Sequence, residues 1–372
     1  MTNAMRSSAA APVALLLVAV WACSRTPEAQ PDTRAPSAPK TTTGAASPPA
    51  TTAAASAPSP TNASPPPSNG IELPLASSGR LVAIGDIHGD LTALRGALRL
   101  AGAIDGDDRW IGRGLTVVQT GDQIDRGDQD REVLDVIEKL ESAAQAAGGA
   151  FYVLNGNHEL MNARFDFRYV TRKSFASFDE FSSRAGELAG HLPEPELGRA
   201  VAFMPGAPYA LKLSRHPTVA LVGDSLFAHG GVSPAHVDYG LSRINREASA
   251  FLAGKTREPS AILSDEDGPV WTRVYGGLEV DEAACQALGR VLSQVGAKRL
   301  IVGHTVQEQG INSACQERLF RIDIGLSAFY GAKPPQVLEV TAKGTRVLRG
   351  GAASADGVKP GKAADSALHS AP

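Results

Sequence analysis

With 372 residues, 43% of them hydrophobic, the chain is long enough for one large domain or two ordinary ones. Its formal net charge of -3 offers no electrostatic case for nucleic acid as a partner. Long stretches near both ends are Pro, Ala, Ser, Thr or Gly-rich, which excludes a chain that is globular throughout.

From Met5 and Arg6 the chain runs through the apolar stretch APVALLLVAV into Trp21-Ala22-Cys23. A charged start, a greasy segment too short to span a membrane comfortably and a small residue before cysteine predict a signal peptide over residues 1–22. The Val20–Cys23 ending resembles a bacterial lipobox, which implies cleavage before Cys23 and a membrane anchor through a lipid on that cysteine. An ordinary secretory signal cut nearby and an uncleaved anchor are the alternatives, and all three put the rest of the chain outside the cytoplasm. Ser24 after the cysteine implies, by resemblance to lipoprotein sorting, the outer membrane of a Gram-negative cell. Residues 23–70 cannot bury enough apolar surface to offset chain entropy and are predicted to form a disordered tether, extended where prolines run together. Residues 350–372 form a second disordered tail.

Between these ends, residues 71–349 alternate strand-like and helix-like segments. Arg80–Ile84 predicts a strand that ends in GDIHGD (Gly85–Asp90), followed by a helix marked by Leu91, Leu94, Leu98 and Ala101. Leu115–Val118 leads into GDQIDRGD (Gly121–Asp128), after which Val133, Leu134, Ile137 and Leu140 mark a second helix. Ala150–Leu154 leads into GNHE (Gly156–Glu159). Residues 161–205 read as a helical insertion capping the site. Ser225–Ala228 precedes His229 in AHGG, Leu300–Val302 precedes His304 in GHT, and strands over 319–324 and 336–340 finish the core. The fold class is therefore α/β, with β-sheets flanked by helices and five loops gathered at the carboxyl ends of strands, where ligands collect.

Each of those loops offers Asp, Asn or His beside glycine, which lets the backbone turn sharply and expose the side chain. Four of the eight histidines, His88, His158, His229 and His304, share this setting, whereas His191, His216, His236 and His369 do not and read as surface or packing residues. An oxygen and nitrogen donor set of this kind reads as a two-metal phosphoesterase. Asp105–Asp108 and Asp265–Gly268 lack the ligand spacing of an EF-hand and read as acidic turns. Cys285 and Cys315 are either a disulfide or two buried free thiols; sequence does not supply the geometry.

In order, the motifs GDxHG, GDxxDRG, GNHE and HGG resemble those of the calcineurin-like metallophosphoesterases, and within them the phosphoprotein phosphatase type, over residues 80–345. The NHELMN run, Asp166 with Arg168-Tyr169-Val170, and Trp271-Thr272-Arg273 are similar to the bacterial branch called Shewanella-like phosphatases. Gln123, Asn155 and the missing SAPNY element separate the chain from the eukaryotic serine/threonine members, and Glu159 separates it from diadenosine tetraphosphatases.

Carried over residue by residue, the resemblance implies that Asp86 and His88 hold a first metal, Asp122 bridges, and Asn157, His229 and His304 hold a second. The ions are two divalent cations, Mn²⁺ first and Fe or Zn²⁺ next, since no thiolate is present. His158 is implied to be the general acid, oriented by Asp125, while Arg126, Arg273 and Asn157 bind the phosphate, Asp90 supports the ligands and Tyr330 closes the site. The implied reaction is hydrolysis of a phosphomonoester by a metal-bridging hydroxide, leaning towards phosphotyrosine peptides. A dinucleoside polyphosphate hydrolase, a broad phosphate-scavenging phosphatase and a non-catalytic binding lipoprotein are the alternatives. Phe165, Phe167, Phe175, Phe178 and Phe181 read as the face packing the cap on the core, or else one of these rings stacks on phosphotyrosine.

Overall fold

The computed structural model describes residues 71–77 and 79–351. The expected signal peptide (1–22), lipid anchor at Cys23 and tether (23–70), and residues 352–372 of the tail expected over 350–372, lie outside the described residues.

The first half of the core builds parallel strands by right-sized crossovers. Strand β1 (Leu81–Ile84) leads to α1 (Leu91–Ala101), β2 (Thr116–Gln119), α2 (Asp130–Ala146) and β3 (Ala150–Val153). Asp90 caps α1 by accepting from Ala93 N at 2.9 Å, and Gly102 at φ 71° ends it. Between these caps Leu91, Leu94, Ala97, Leu98 and Ala101 bury one face, as the 3.6-residue period requires. Because β1, β2 and β3 run parallel in register, their three loops leave the sheet on one edge.

Helical pieces follow: α3 (Asn157–Ala163), α4 (Arg172–Ala176), 3₁₀ turns at Asp179–Arg184 and Gly186–Gly190, α5 (Glu194–Phe203) and α6 (Pro208–Leu213). The chain then forms β4 (Val219–Val222), β5 (Ser225–Ala228), α7 (Pro234–Tyr239), α8 (Leu241–Leu252), α9 (Ala261–Ser264), α10 (Glu282–Val295) and β6 (Arg299–Val302). It ends with β7 (Asn312–Ala314), β8 (Leu319–Arg321), a 3₁₀ turn at Ala328–Tyr330, β9 (Gln336–Thr341) and β10 (Gly344–Arg349).

These strands make two five-stranded sheets, ordered β10-β9-β1-β2-β3 and β4-β5-β6-β8-β7. Alternation along the strands explains how they stack. Phe227, Ile301 and Phe320 point from the second sheet into the core shared with Val82, Ile84 and Val118 of the first, while their neighbours Leu226, Leu300 and Leu319 face a second core with Ile244, Phe251, Leu288 and Val291. The second sheet is therefore covered on both faces, and each fully buried Ile, Leu or Phe contributes roughly 1.5–3 kcal/mol.

Three strands lie where the sequence marked none: β4, β7 and the amphipathic edge strand β10. The strand expected over 319–324 stops at Arg321, and Ile322–Ile324 leaves the sheet so that Asp323 turns inward. Cys285 of α10 and Cys315 beyond β7 are bonded, with Cα atoms 5.3 Å apart, which resolves the two alternatives in favour of the disulfide. Of the five phenylalanines, Phe178 is wholly buried and packs edge-on against Phe203 and Tyr209, and Phe167 is buried beside Phe165 and Phe175.

Candidate metal centre

The loops after β1, β2, β3, β5 and β6 meet at one place, and they can do so only at close backbone approach. A Cβ on Gly156 would lie 2.2 Å from Asp122 Oδ1, and one on Gly121, itself at φ 101°, would lie 2.6 Å from Gly156 N. Five residues there that are not glycine, His88, Asp122, Asp125, Arg126 and His304, hold left-handed backbone with φ between 47° and 70°. Each such conformation costs of order 1–3 kcal/mol, and such strain gathers at functional sites.

Asp122 Oδ2 sits among three imidazole nitrogens: His229 Nε2 at 3.2 Å, His158 Nε2 at 3.7 Å and His88 Nε2 at 3.8 Å. Two overlapping groups result, His88 with Asp122 and His158, and Asp122 with His229 and His304. The rings are oriented from behind. His88 Nδ1 donates to Ile124 O at 3.2 Å, His229 Nδ1 to Thr120 O at 3.0 Å and His304 Nε2 to Trp271 O at 2.9 Å, since a carbonyl only accepts. The other nitrogen of each ring therefore turns a lone pair into the centre, the form a metal ligand takes. Lone pairs then face each other: His229 Nε2 lies 3.1 Å from His304 Nδ1 and 3.0 Å from Asn157 Oδ1. Asp86 accepts from His304 N at 3.0 Å through Oδ2, while its buried Oδ1 has no hydrogen-bond partner. Acceptors pressed against acceptors, with an orphaned carboxylate oxygen, fit bound cations.

Electrostatics agree. Burial pushes His88 down to about 3 and His304 to about 2, so both are neutral and free to ligate. Burial, then Asp323 and Asp122, pushes the Asp86 carboxyl well up; burial and Asp122 raise Glu159 to about 7, and burial raises Asp323 to about 6. Burial opposes ionisation of Asp122 as well, but His229 and His158 override it and hold that carboxyl well below the usual range. Four buried carboxyl groups packed this closely call for positive charge among them.

His158 differs from the other rings. Its Nδ1 donates to a carboxylate, Asp125 Oδ2, at 2.7 Å, and although burial disfavours its charged form, Asp122 and Asp125 raise its pKa. By position His158 falls within one of the two metal-binding groups; its carboxylate partner and raised pKa also suit the ring to carry a proton. Asp125 is itself held low against burial by His158 and Arg199, and Asn162 Nδ2 reaches both its oxygens at 3.0 and 3.1 Å.

Around the centre, Arg126 Nη2 lies 3.3 Å from His158 Nε2, and its guanidinium carbon sits 4.7 Å from the Tyr169 ring centroid and 5.6 Å from those of Phe329 and Tyr330. Arg273 lies on the opposite rim, donating to His304 O at 3.2 Å and Thr305 Oγ1 at 2.9 Å. Asp90 caps α1 and accepts from Ala328 N at 2.7 Å, tying the 3₁₀ turn that carries Tyr330 to that helix. A groove of about 970 Å³ runs from Arg126 between Ala93, Phe329, Pro334 and Pro335.

All ten residues singled out as ligands, acid, orienting group or phosphate binders thus collect at one centre. Sequence reasoning missed Arg199, Asp323 and the exposed ring of Phe329. Only Arg199 left a signal, a cation on the same helical face as the buried Ala202 and Phe203.

The family model described as calcineurin-like phosphoesterase matches residues 79–308. Shewanella-like protein phosphatase 2 of Arabidopsis thaliana is 38% identical over 301 residues, spanning 72% of this chain and 77% of that protein. Among solved structures, a cold-active protein tyrosine phosphatase is 26% identical with a TM-score of 0.59, covering 74% of this chain and 76% of its own. The cold-active protein-tyrosine phosphatase of a psychrophilic Shewanella species is 25% identical, with a TM-score of 0.59 and coverage of 73% and 81%.

Proposed function

The chain belongs to the calcineurin-like phosphoesterase family and is a metal-dependent phosphatase, and from that premise we propose that its substrates are phosphotyrosine residues of proteins. The observation that carries this reading is the pair of exposed rings, Tyr169 at 40% and Phe329 at 60% exposure, flanking Arg126 at the mouth of the centre. A phosphoryl group bound by Arg126 puts a tyrosyl ring against these walls, whereas a seryl side chain is too short to use them. The groove beyond Phe329 gives the flanking peptide a path. Relatives and neighbours named for protein and tyrosine phosphatase activity support the same direction.

In this proposal Asp86, His88 and Asp122 would hold one ion, and Asp122, Asn157, His229 and His304 the other; Mn²⁺ would suit their oxygen and nitrogen set. When bound, two divalent ions neutralise phosphoryl oxygens and make water nucleophilic near neutral pH. Arg126, Arg273 and Asn157 orient the phosphoryl group. His158 gives its Nε2 proton to the leaving oxygen, with Asp125 holding the ring from behind. The proposal also keeps an extracytoplasmic address and a lipid anchor at Cys23, supported by the Met5–Cys23 sequence alone.

The deciding experiment compares kcat/KM of the Mn²⁺-loaded protein on a phosphotyrosine peptide, a phosphoserine peptide and diadenosine tetraphosphate. Phosphotyrosine leads in the expected result, and Tyr169→Ala or Phe329→Ala lowers that rate constant about tenfold, the size of one aromatic contact, with little change on phosphoserine. A preference for the dinucleotide, or equal losses on both peptides, would sink the reading.

A further inference from the structure

Among the described residues, Arg199 of α5 is the bulkiest of the fully buried side chains. Taking a guanidinium out of water is costly unless its donors are matched, and here they are matched in one plane. Nε donates to Asn162 Oδ1 at 2.6 Å, Nη1 to Ser174 Oγ at 2.8 Å, and Nη2 to Asp125 Oδ1 at 2.9 Å and Asp130 Oδ2 at 2.7 Å. The rings of Phe203 and Phe178 cover it at 4.9 and 5.3 Å.

Neutralising two buried carboxylates needs only a cation, but the fork does more than that. Asn162, which Arg199 orients, donates to both oxygens of Asp125 and to His158 O. Asp130, also held by the fork, accepts from Asp125 N at 3.0 Å and from Ser174 Oγ at 2.7 Å. Three partners of Arg199 therefore either are Asp125 or grip it, and the remaining one grips Asp130. Asp125 has its backbone in the left-handed region, so its side chain needs this framing to present Oδ2 to His158 Nδ1.

We infer that Arg199 is a positioning residue for proton delivery by His158, acting through Asp125, so that the helical insertion is part of the catalytic apparatus and not only a cover. This rests on the reading of His158 as the general acid. An acid matters most when the leaving group is poor, so a displaced acid shows as selective loss on poor leaving groups, whereas a smaller folded fraction scales all rates alike.

The test measures kcat for phenyl phosphate and 4-nitrophenyl phosphate on the Mn²⁺-loaded full chain carrying Arg199→Met, Arg199→Lys or His158→Asn. Each variant is expected to lose at least about tenfold more on phenyl phosphate than on the nitrophenyl ester, with His158→Asn the most selective. The ratio of the two rates within one preparation is independent of how much protein is folded, and Arg199→Lys, which keeps the charge but not the fork, decides by the same ratio if Arg199→Met does not fold. Equal losses on both esters in the Arg199 variants, beside a selective His158→Asn, overturn the positioning role alone. An unselective His158→Asn overturns the acid reading and the positioning role with it.

Discussion

One carboxylate holds two of the metal loops together. Glu159 accepts from Asp122 N at 3.0 Å, Gln123 N at 2.8 Å and Gly156 N at 2.7 Å, so the loop after β2 is pinned to the loop after β3 at the residue that bridges the two ligand groups. Glu159→Gln replaces one acceptor oxygen with a donor and leaves buried N–H groups facing it. The expected cost is about 1–3 kcal/mol of stability for the unmet groups. Metal affinity should fall about 10–100-fold, the usual consequence of losing a group that orients ligands. Metal content after dialysis against a graded chelator reads this directly; a variant that keeps its metal like the wild type would show the brace to be dispensable. At this scale the candidate ligands could be singled out because Asp86, His88, Asp122, Asn157, His229 and His304 each sit by a glycine at a strand end, and the structure gathers them. Asp323 was not, and Arg199 signalled only its buried helical face and not its role, because what makes them matter is interaction with residues over 200 and 74 positions away.

Short helices here depend on their caps, and α7 shows how pH enters. Ser233 accepts from His236 N at 3.4 Å, and the buried His236 returns the bond by accepting from Ser233 N at 3.1 Å through Nδ1, a reciprocal box that needs a neutral ring. Burial lowers the His236 pKa, with Asp267 pulling the other way. The folded value therefore lies below the unfolded one. As pH falls through the unfolded value near 6.5, the unfolded chain takes up the proton first and stability is lost. His236→Gln keeps the box without titrating, so its Tm relative to wild type should rise as pH goes from 7 to 5; a constant offset would show that the ring does not titrate in the folded protein. Sequence had read His236 as ordinary because its role is a local bond, with no pattern around it. Among the other elements, strands bracketing a motif were legible from their apolar runs. The edge strands β7 and β10 were not, since Asn312–Ala314 is polar and Gly344–Arg349 packs only half its side chains.

At the scale of the molecule, the centre joins the two sheets. Asp86, His88, Asp122 and Asn157 come from loops of the first sheet and His229 and His304 from loops of the second, and the groups of one sheet meet those of the other as acceptor against acceptor. That five strand ends would converge was legible from the motifs; that they belong to two stacked sheets was not, because the alternation of Phe227, Ile301 and Phe320 against Leu226, Leu300 and Leu319 shows only once the strands are paired. Cations bound between the sheets stabilise the folded chain alone, by about 2.7 kcal/mol per site at a hundred times the dissociation constant. For a domain of this size each kcal/mol moves Tm by roughly 2–4 °C, so removing both ions should lower it on the order of 10 °C or more. The measurement is a thermal melt in EDTA against one in rising Mn²⁺, where Tm should climb with the logarithm of metal concentration. His304→Ala, which removes a ligand from the second sheet, should flatten that climb because fewer ions then bridge the sheets. A Tm that ignores metal at concentrations sufficient for turnover would mean that the sheets hold their positions without the ions, and that the centre is built by packing alone.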